Sequence, residues 1–465
     1  MKNKKYNASC FIFNGKKLDK NQIKIIKSNR KTILVIAGAG SGKTFTIAAK
    51  VRYLIEYKKI NPKEILCISF TNESVNSLKK SINNKDVSIM TFHKLALNII
   101  PKRKEILSED MLTDIIMDTF NYDVLYGLFK VSKNEMVYLI QRFINLFKSK
   151  NYNLDYFYKF INKANKNEKL LLKEIMKCYI CYESYLNKEK LMDFNDIINL
   201  AIDNIDNYNK MFRYIIIDEF QDTSYVKLEL IKRLIKKTKS NLIVVGDDFQ
   251  SIYKFTGSDI TIITRFRYYF LFSKIFKLNK TYRAPNELVS LAGKFIMKNP
   301  AQIKKKLVSV NNLVNSIMII YYDDLNICIN NIIKEDKINN LFILARNNKD
   351  LDGIKIENKE LNYKKLTIHK SKGLEEDYVF VIGLLDKING FPNKIKDHAI
   401  LRFVNHSKTY YPFEEERRLF YVALTRCKKR VYIFTKEGME SIFIKELLKY
   451  NKIKKSSIIT LKNFE

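Results

Sequence analysis

Residues 37–44 decide the fold of this chain; they read Ala37-Gly38-Ala39-Gly40-Ser41-Gly42-Lys43-Thr44. An apolar run, residues 31–37, precedes this turn, and a run with helical spacing, residues 43–57, follows it. Such a turn lets backbone N–H groups curl around phosphate oxygens, and the helix N-terminus adds its positive dipole end. We therefore expect a nucleotide-phosphate site in which Lys43 contacts the β- and γ-phosphates and the Thr44 hydroxyl holds Mg²⁺.

Two further predicted strands end in acids or an amide. The apolar run 215–217 ends in Asp218 and Glu219, and the run 241–245 leads to Gln250. The carboxyl ends of parallel strands share one sheet edge, where open α/β sheets bind ligands. We expect Asp218 to hold Mg²⁺ through its water shell and Glu219 to orient and deprotonate the attacking water. Gln250 is placed to hydrogen-bond the γ-phosphate and that water.

Apolar strands alternate with helical segments in both halves of the chain. Strands are predicted at residues 31–37, 64–70, 87–90, 214–217 and 241–245, and then at 341–344, 365–368, 379–382 and 431–434. This alternation predicts an α/β fold whose parallel sheets are covered by helices on both faces.

Pro101 interrupts the alternation. Residues 102–190 are poor in strands and place apolar side chains at helical spacing, as at Phe143, Leu146 and Phe147. We therefore expect a helical insertion at residues 101–190 that divides the first core into residues 1–100 and 191–277. The second core is expected at residues 278–465.

Basic residues outnumber acidic ones: Lys and Arg total 84 against 49 Asp and Glu, a formal net charge of +35. Such a charge attracts polyanions, so nucleic acid is a reasonable partner, although a Lys-rich chain can also reflect an AT-rich genome. The first 13 residues lack an apolar signal segment. No apolar run approaches the roughly 20 residues of a membrane span. The chain is expected to be soluble and intracellular, without a membrane partner.

The six cysteines are scattered, and Cys178 and Cys181 form the single CxxC of the sequence. They lie in a segment, residues 170–185, with the spacing of an amphipathic helix. One CxxC supplies half of a tetrahedral metal site, so we interpret the pair as residues of a helix face in a reducing compartment.

Taken in order, these motifs resemble those of the UvrD/Rep family of superfamily 1 DNA helicases. Besides residues 37–44, the resemblance rests on residues 18–22 (LDKNQ), 69–72 (SFTN), 90–93 (MTFH), 191–196 (LMDFND), 218–222 (DEFQD), 246–253 (GDDFQSIY), 281–283 (TYR), 366–375 (LTIHKSKGLE) and 414–426 (EEERRLFYVALTR). Asn195 and Thr281 depart from the family pattern. The resemblance implies two RecA-like P-loop parallel-sheet cores with a helical insertion in the first, and ATP and Mg²⁺ as cofactors.

By that resemblance, further residues complete the ATP site. Gln22 would read adenine, Tyr282 would stack on it, and Glu375 belongs to the nucleotide-binding motifs. Arg283 and Arg426, both from the second core, would be arginine fingers that stabilise transition-state charge. ATP would then be enclosed only when both cores close on it, and opening after hydrolysis gives a two-state hinge.

The resemblance also implies a face that binds single-stranded DNA and single-strand/duplex junctions. Phe70, Tyr253 and Phe255 would stack on bases at about 1–3 kcal/mol each; the family usually has Trp at the last position. Thr91 would bind backbone phosphate, and His369 either does the same or is a buried hydrogen-bonded link. The same motifs also place Thr71, Asn72 and His93 among the predicted nucleic-acid-binding residues.

Only residues 347–365 separate a second-core strand from the next motif, where family members usually carry a large insertion. We interpret this stretch as a connecting loop or hairpin and expect a compact motor. The leading interpretation is a monomeric ATP-dependent DNA helicase that moves 3′ to 5′; accessory proteins stay open. Three alternatives remain: a translocase that displaces proteins with little unwinding, a non-hydrolysing nucleic-acid-binding protein, and an RNA motor.

Overall fold

The computed structural model describes residues 12–101, 104–107, 109–405, 411–450 and 458–461. Most of the first 13 residues, Cys10 among them, lie outside this part of the chain, as do three residues of the predicted helical insertion, 102, 103 and 108. No helix in the described part of the chain is long and apolar enough to cross a membrane.

The first sheet has six parallel strands in the order β6-β1-β5-β4-β2-β3. Residues 33–37 of β1 are each at most 1% exposed, because helices cover both faces of the sheet. The strands are β1 (Thr32–Ala37), β2 (Ile65–Ser69), β3 (Ser88–Thr91), β4 (Tyr214–Ile217), β5 (Asn241–Gly246) and β6 (Lys274–Leu278). The helices around it are α1 (Lys20–Lys27), α2 (Lys43–Glu56), α3 (Asn72–Ile82), α4 (Phe92–Ile99), α10 (Phe194–Asp203), α11 (Tyr225–Thr238), α12 (Thr261–Thr264) and α13 (Phe266–Tyr269).

Between α4 and α10 the described residues form five further helices that enclose a separate apolar core. Phe147 lies at its centre, with its ring centroid 4.3 Å from that of Phe157. Cys178 is buried in this core whereas Cys181 is exposed, so the two point to different sides of their helix. The helices are α5 (Glu109–Thr119), α6 (Tyr122–Phe129), α7 (Lys133–Lys148), α8 (Leu154–Lys163) and α9 (Lys166–Lys188).

The second sheet also has six parallel strands, in the order β9-β8-β10-β11-β7-β12. Its strands are β7 (Ile317–Tyr322), β8 (Asn340–Ala345), β9 (Asn362–Thr367), β10 (Glu376–Val381), β11 (Cys427–Thr435) and β12 (Ile458–Leu461). Its helices are α14 (Asn286–Ile296), α15 (Leu325–Glu335), α16 (Lys349–Asp352), α17 (Glu414–Leu424) and α18 (Ile442–Leu448). Two parallel-sheet cores and an inserted helical unit confirm the predicted α/β fold class.

A bridging segment, residues 397–404, runs from the second core to the helical insertion. Ile400 and Leu401 are buried in the insertion's apolar core. Arg402 donates through Nη2 to Oε2 of Glu168 at 2.7 Å. The bridging segment therefore ties the insertion of the first core to the second core.

Three strands of the sheets, β6, β7 and β12, were not predicted. β6 (KIFKL) is an edge strand that combines two exposed lysines with apolar residues, so its sequence lacks the continuous apolar run of the inner strands. The run of β7 is short and continuously apolar, a pattern that does not distinguish a strand from a buried helix. Between β8 and β9 the structure places only the one-turn helix α16 and a loop.

Candidate functional site

The glycine-rich turn between β1 and α2 forms a cradle of backbone groups. Gly40 and Gly42 have φ angles of +69° and +77°, which glycine adopts at little cost. Gly42 is the N-cap of α2 and offers no side-chain oxygen, so the first N–H groups of the helix have no side-chain cap. Ser41 Oγ is buried and has no hydrogen-bond partner among the described residues. Unsatisfied donors at a helix N-terminus fit a bound phosphate group.

The acidic pair at the end of β4 faces this cradle. Lys43 Nζ lies 2.7 Å from Oε1 of Glu219. Burial raises the pKa of Asp218, and the charge of Glu219 raises it further. Burial also acts on Glu219, but the positive charges of Lys43 and Lys372 outweigh it and lower the pKa of that carboxyl. The two neighbouring carboxyl groups therefore hold protons with different strength, and Glu219 is the ionised one.

The second core contacts the cradle directly. Thr281 donates through Oγ1 to the backbone oxygen of Ala39 at 2.7 Å, and the Tyr282 N–H donates to that of Gly40 at 2.9 Å. A Cβ on Gly40 would lie 2.5 Å from Cβ of Arg283, so this close approach requires glycine. The departure from the family pattern at Thr281 thus supplies one of the contacts between the cores.

Both predicted arginine fingers lie near the cradle, held by different partners. Arg283 forms an ion pair with Glu375, Nε to Oε2 at 2.5 Å. Arg426 is 1% exposed and donates through Nη2 to Oε1 of Gln250 at 3.0 Å. Burial, and then the charge of Arg283, lower the pKa of Arg426 to about 9. Because the positive charges of Arg283 and Arg426 repel each other, an anion bound between them would be favoured.

The residues predicted to bind the adenine base, Gln22 and Tyr282, also lie beside the cradle. Asp19 and Gln22 form a capping box at the start of α1, which fixes the Gln22 side chain. Gln22 Nε2 would lie 3.3 Å from a Cβ on Gly42. The Tyr282 hydroxyl donates to Oδ2 of Asp19 at 3.0 Å, while 44% of this residue is exposed. The structure thus brings Gln22, Tyr282 and the cradle together.

One residue of this site was missed by the sequence reasoning although it lies in a quoted motif. Lys372 donates through Nζ to Oδ2 of Asp222 at 2.6 Å and to the backbone oxygen of Gln250 at 2.7 Å. It therefore joins the second core to both acidic strand ends of the first. The roles predicted for His369 and Glu375, two other residues of the same motif, did not indicate that Lys372 would have these partners.

Four residues predicted to contact single-stranded DNA, Phe70, Thr71, Asn72 and Thr91, lie at the ends of β2 and β3. The ring of Phe70 is half-buried against Phe92, and Lys227 Nζ lies 4.8 Å from its centroid. Thr71 and Thr91 each cap a helix, accepting the N–H of Ser74 and of Lys94 at 3.2 Å. Exposed Asn72 opens α3. The threonine hydroxyls thus have a structural task beside any phosphate contact.

His93 faces an aromatic residue that was not predicted. Its ring centroid lies 5.6 Å from that of Phe194, which is 51% exposed. Phe194 lies within residues 191–196, quoted above for their resemblance, so a signal was present. Burial lowers the pKa of His93 to about 4, so the imidazole is neutral at pH 7.

The remaining residues predicted to contact single-stranded DNA, Tyr253, Phe255 and His369, form a cluster between the two cores. Phe255 is 49% exposed, and its ring centroid lies 5.5 Å from that of His369 and 6.0 Å from that of Tyr253. The Tyr253 hydroxyl donates to the backbone oxygen of His369 at 3.3 Å. Burial, with the charges of Arg346 and Lys372, lowers the pKa of His369 to about 4. A neutral His369 that touches two aromatic residues is consistent with its alternative as a buried link.

Comparison with known families agrees with this geometry. Residues 18–270 match the UvrD/REP helicase N-terminal domain, and residues 362–438 match the UvrD-like helicase C-terminal domain. DNA helicase IV of Escherichia coli (strain K12) is 26% identical over 472 residues, covering 90% of this chain and 69% of that protein. ATP-dependent DNA helicase Rep of Buchnera aphidicola subsp. Baizongia pistaciae is 30% identical over 63% of this chain and 44% of its own length. ATP-dependent DNA helicase PcrA of Bacillus subtilis (strain 168) is 28% identical over 65% and 42%.

Proposed function

Because the chain belongs to the UvrD/Rep family of ATP-dependent DNA helicases, we propose that it moves 3′ to 5′ along single-stranded DNA by hydrolysing ATP between its two cores. One observation carries the proposal: groups from both cores meet at one phosphate cradle. Lys43 and Glu219 come from the first core, whereas Arg283 and Arg426 come from the second. A nucleotide bound there can stabilise the closed arrangement of the two cores, and its hydrolysis can let the cores open again.

ATP and Mg²⁺ fit the residues at the cradle. The unpartnered Ser41 hydroxyl and the uncapped start of α2 suit phosphate oxygens. Thr44 and Asp218 would hold Mg²⁺, which when bound neutralises charge on the phosphates. The described residues contain no group of three or more His, Cys, Asp or Glu side chains placed for a metal. Two protein ligands suffice here because Mg²⁺ usually keeps waters and takes substrate phosphates as ligands.

The ion pair between Lys43 and Glu219 sets the order of events. Phosphates that enter the cradle compete with Glu219 for the same ammonium group. As Lys43 turns to the phosphates, the pKa of Glu219 rises, and the carboxylate becomes a base that can orient and deprotonate water. Arg283 and Arg426 then stabilise the charge that develops on the γ-phosphate.

Lys372 supports coupling between hydrolysis and the strand. Its ammonium contacts Asp222 and Gln250, which belong to the proposed ATP site. It also lies 4.6 Å from the ring centroid of Tyr253, which belongs to the proposed DNA-binding cluster. A change at Gln250 on hydrolysis would therefore move the Tyr253–Phe255–His369 cluster. Base stacking there is independent of sequence, as a translocating motor requires.

The direction is tested with oligonucleotides that carry streptavidin on a biotin at either the 5′ or the 3′ end. A 3′ to 5′ motor displaces streptavidin from the 5′ end with ATP and leaves the 3′ block in place. Displacement from the 3′ end alone would refute the polarity. A non-hydrolysable ATP analogue serves as the control for passive loss.

A translocase that strips proteins but unwinds poorly is the second candidate. The observation that favours it is the short connection between β8 and β9, which holds only α16. Strand displacement on a duplex with a 3′ single-stranded tail, measured beside streptavidin release, separates the two. Release without strand separation would support the stripping translocase, whereas strand separation at a comparable rate would support the helicase.

A further inference from the structure

A buried lysine outside the quoted motifs contacts both aspartates that follow β5. Lys305 lies between α14 and β7, and its side chain is 1% exposed. Its Nζ lies 2.5 Å from Oδ1 of Asp247 and 2.6 Å from Oδ1 of Asp248. It also lies 3.7 Å from the ring centroid of Phe249. Burial lowers the pKa of Lys305, but the two carboxylates outweigh burial and raise it, so the ammonium is charged.

Asp247 connects Lys305 to the proposed ATP site. Its other oxygen, Oδ2, accepts from Nε2 of Gln250 at 2.5 Å. The oxygen of the same amide, Oε1, accepts from Arg426 at 3.0 Å. An ionised carboxylate can only accept hydrogen bonds, so Gln250 must turn its NH₂ toward Asp247 and its oxygen toward Arg426.

We propose that Lys305 is a positioning residue for ATP hydrolysis, which holds the Asp247 carboxylate in place through their ion pair and so fixes the orientation of the Gln250 amide. The inference rests on the proposed function, since Gln250 acts in catalysis only if ATP is hydrolysed at this cradle. When Arg426 turns to the γ-phosphate, the oriented Gln250 oxygen is free to accept a hydrogen bond from the attacking water.

Without the lysine, the orientation of Gln250 is lost. A buried carboxylate with no counter-ion is costly, so Asp247 is no longer held against the Gln250 amide. The amide can then rotate and present its NH₂ group to Arg426. Two donors then face each other, and the water loses its acceptor.

Asp248 provides an internal comparison because it holds the same lysine but does not contact Gln250. Its Oδ2 accepts from Nε2 of Gln302 at 2.8 Å and from the Ile303 N–H at 2.7 Å. Asp248 therefore anchors the segment that carries Lys305. The Asp247 contact leads to the ATP site, whereas the Asp248 contact leads to the backbone of the second core.

The test compares steady-state ATP hydrolysis by full-length variants with single-stranded DNA in excess. Lys305→Met should lower kcat about 10- to 100-fold, the loss typical when a group that orients a catalytic residue is removed. The KM for ATP should stay within about twofold, because Lys305 does not line the phosphate cradle. Lys306→Met, at the exposed neighbouring position, should hydrolyse ATP like the unaltered chain. Asp247→Asn keeps the side-chain size and should reproduce the kcat loss if Lys305→Met does not fold.

Combining variants separates positioning from a purely structural role. Gln250→Ala should lower kcat by itself, and Lys305→Met should add no further loss in that background, because the lysine acts through the glutamine. Multiplicative losses would overturn the inference, as would a kcat loss in Asp248→Asn that Asp247→Asn does not reproduce. An unaltered chain that hydrolyses no ATP overturns the proposed function, whereas normal turnover by Lys305→Met overturns this inference alone.

Discussion

The ammonium of Lys43 lies 2.7 Å from Oε1 of Glu219, so the lysine of the glycine-rich turn and the acid after β4 neutralise each other. Both groups are largely buried, with side-chain exposures of 12% and 18%. A phosphate group that binds Lys43 must replace this carboxylate. In the proposed mechanism, nucleotide binding frees Glu219 from Lys43, so this carboxylate would act as a base only once the phosphates are in place.

Lys43→Ala should reduce ATP turnover by about 100- to 1000-fold, since it removes a cation aimed at the transferring phosphoryl group. Binding of single-stranded DNA should change little, because the predicted strand contacts lie on other elements. Fluorescence anisotropy with a labelled oligonucleotide measures the second quantity. Lys63→Ala, an exposed lysine before β2, is the matched control. Ordinary turnover by Lys43→Ala would refute the site.

Arg426→Lys and Arg283→Lys should each lower kcat by about 10³- to 10⁵-fold, the contribution of an arginine finger. Lysine keeps the charge but lacks the planar fork that binds two phosphate oxygens at once. The affinity for ATP, measured by equilibrium binding, should fall much less than kcat. Equal loss of both quantities would mean that these arginines bind nucleotide without acting on the transition state.

Phe255→Ala should weaken binding of single-stranded DNA by about 1–3 kcal/mol, because the half-exposed ring offers a stacking face. Phe255→Trp should strengthen binding, since indole presents a larger face. Tyr268→Ala is the control: this residue is 79% exposed but lies in α13, which carries no predicted contact to DNA. If Phe255→Ala and Tyr268→Ala bind equally well, the cluster is not a stacking site.

Two half-buried histidines, His93 and His369, predict a loss of stability in acid. Burial lowers the pKa of His93 and of His369 to about 4 from an ordinary 6.5. Between pH 6.5 and 4 the unfolded chain therefore binds more protons, so the stability present above pH 6.5 is lost as the pH falls. Each histidine should account for roughly 1–3 kcal/mol.

Urea midpoints at pH 7 and pH 5 measure this effect. The double variant His93→Asn and His369→Asn should lose less stability on acidification than the unaltered chain. An identical loss in both proteins would place the acid sensitivity in carboxylates instead.

What could be predicted from the sequence was local in the chain. The turn between β1 and α2 and the acids after β4 were predicted because strand, turn and functional residues are contiguous. Lys372 and Lys305 escaped notice because their partners are distant: Lys372 is 150 residues from Asp222, and Lys305 is 57 residues from Asp248. A lysine in a Lys-rich chain carries no signal of burial until the fold brings carboxylates to it.

The bridging segment was missed for the same reason. Its apolar residues, Ile400, Leu401, Phe403 and Val404, follow a basic loop and give no sign that they complete the core of a helical unit more than 200 residues earlier in the chain. The ion pair between Arg402 and Glu168 joins positions 234 residues apart. Contacts of this kind depend on how the two cores are placed, and sequence periodicity reports only each core's own elements.

ATP hydrolysis with and without single-stranded DNA tests the central claim most directly. Initial rates would be measured at saturating ATP and Mg²⁺, with single-stranded RNA and duplex DNA of equal length as comparators. The account predicts a low basal rate and strong stimulation by single-stranded DNA, with less by the comparators, because strand contacts and the ATP site meet through Lys372 and Gln250. A rate that single-stranded DNA does not change would contradict a motor driven by closure of the two cores.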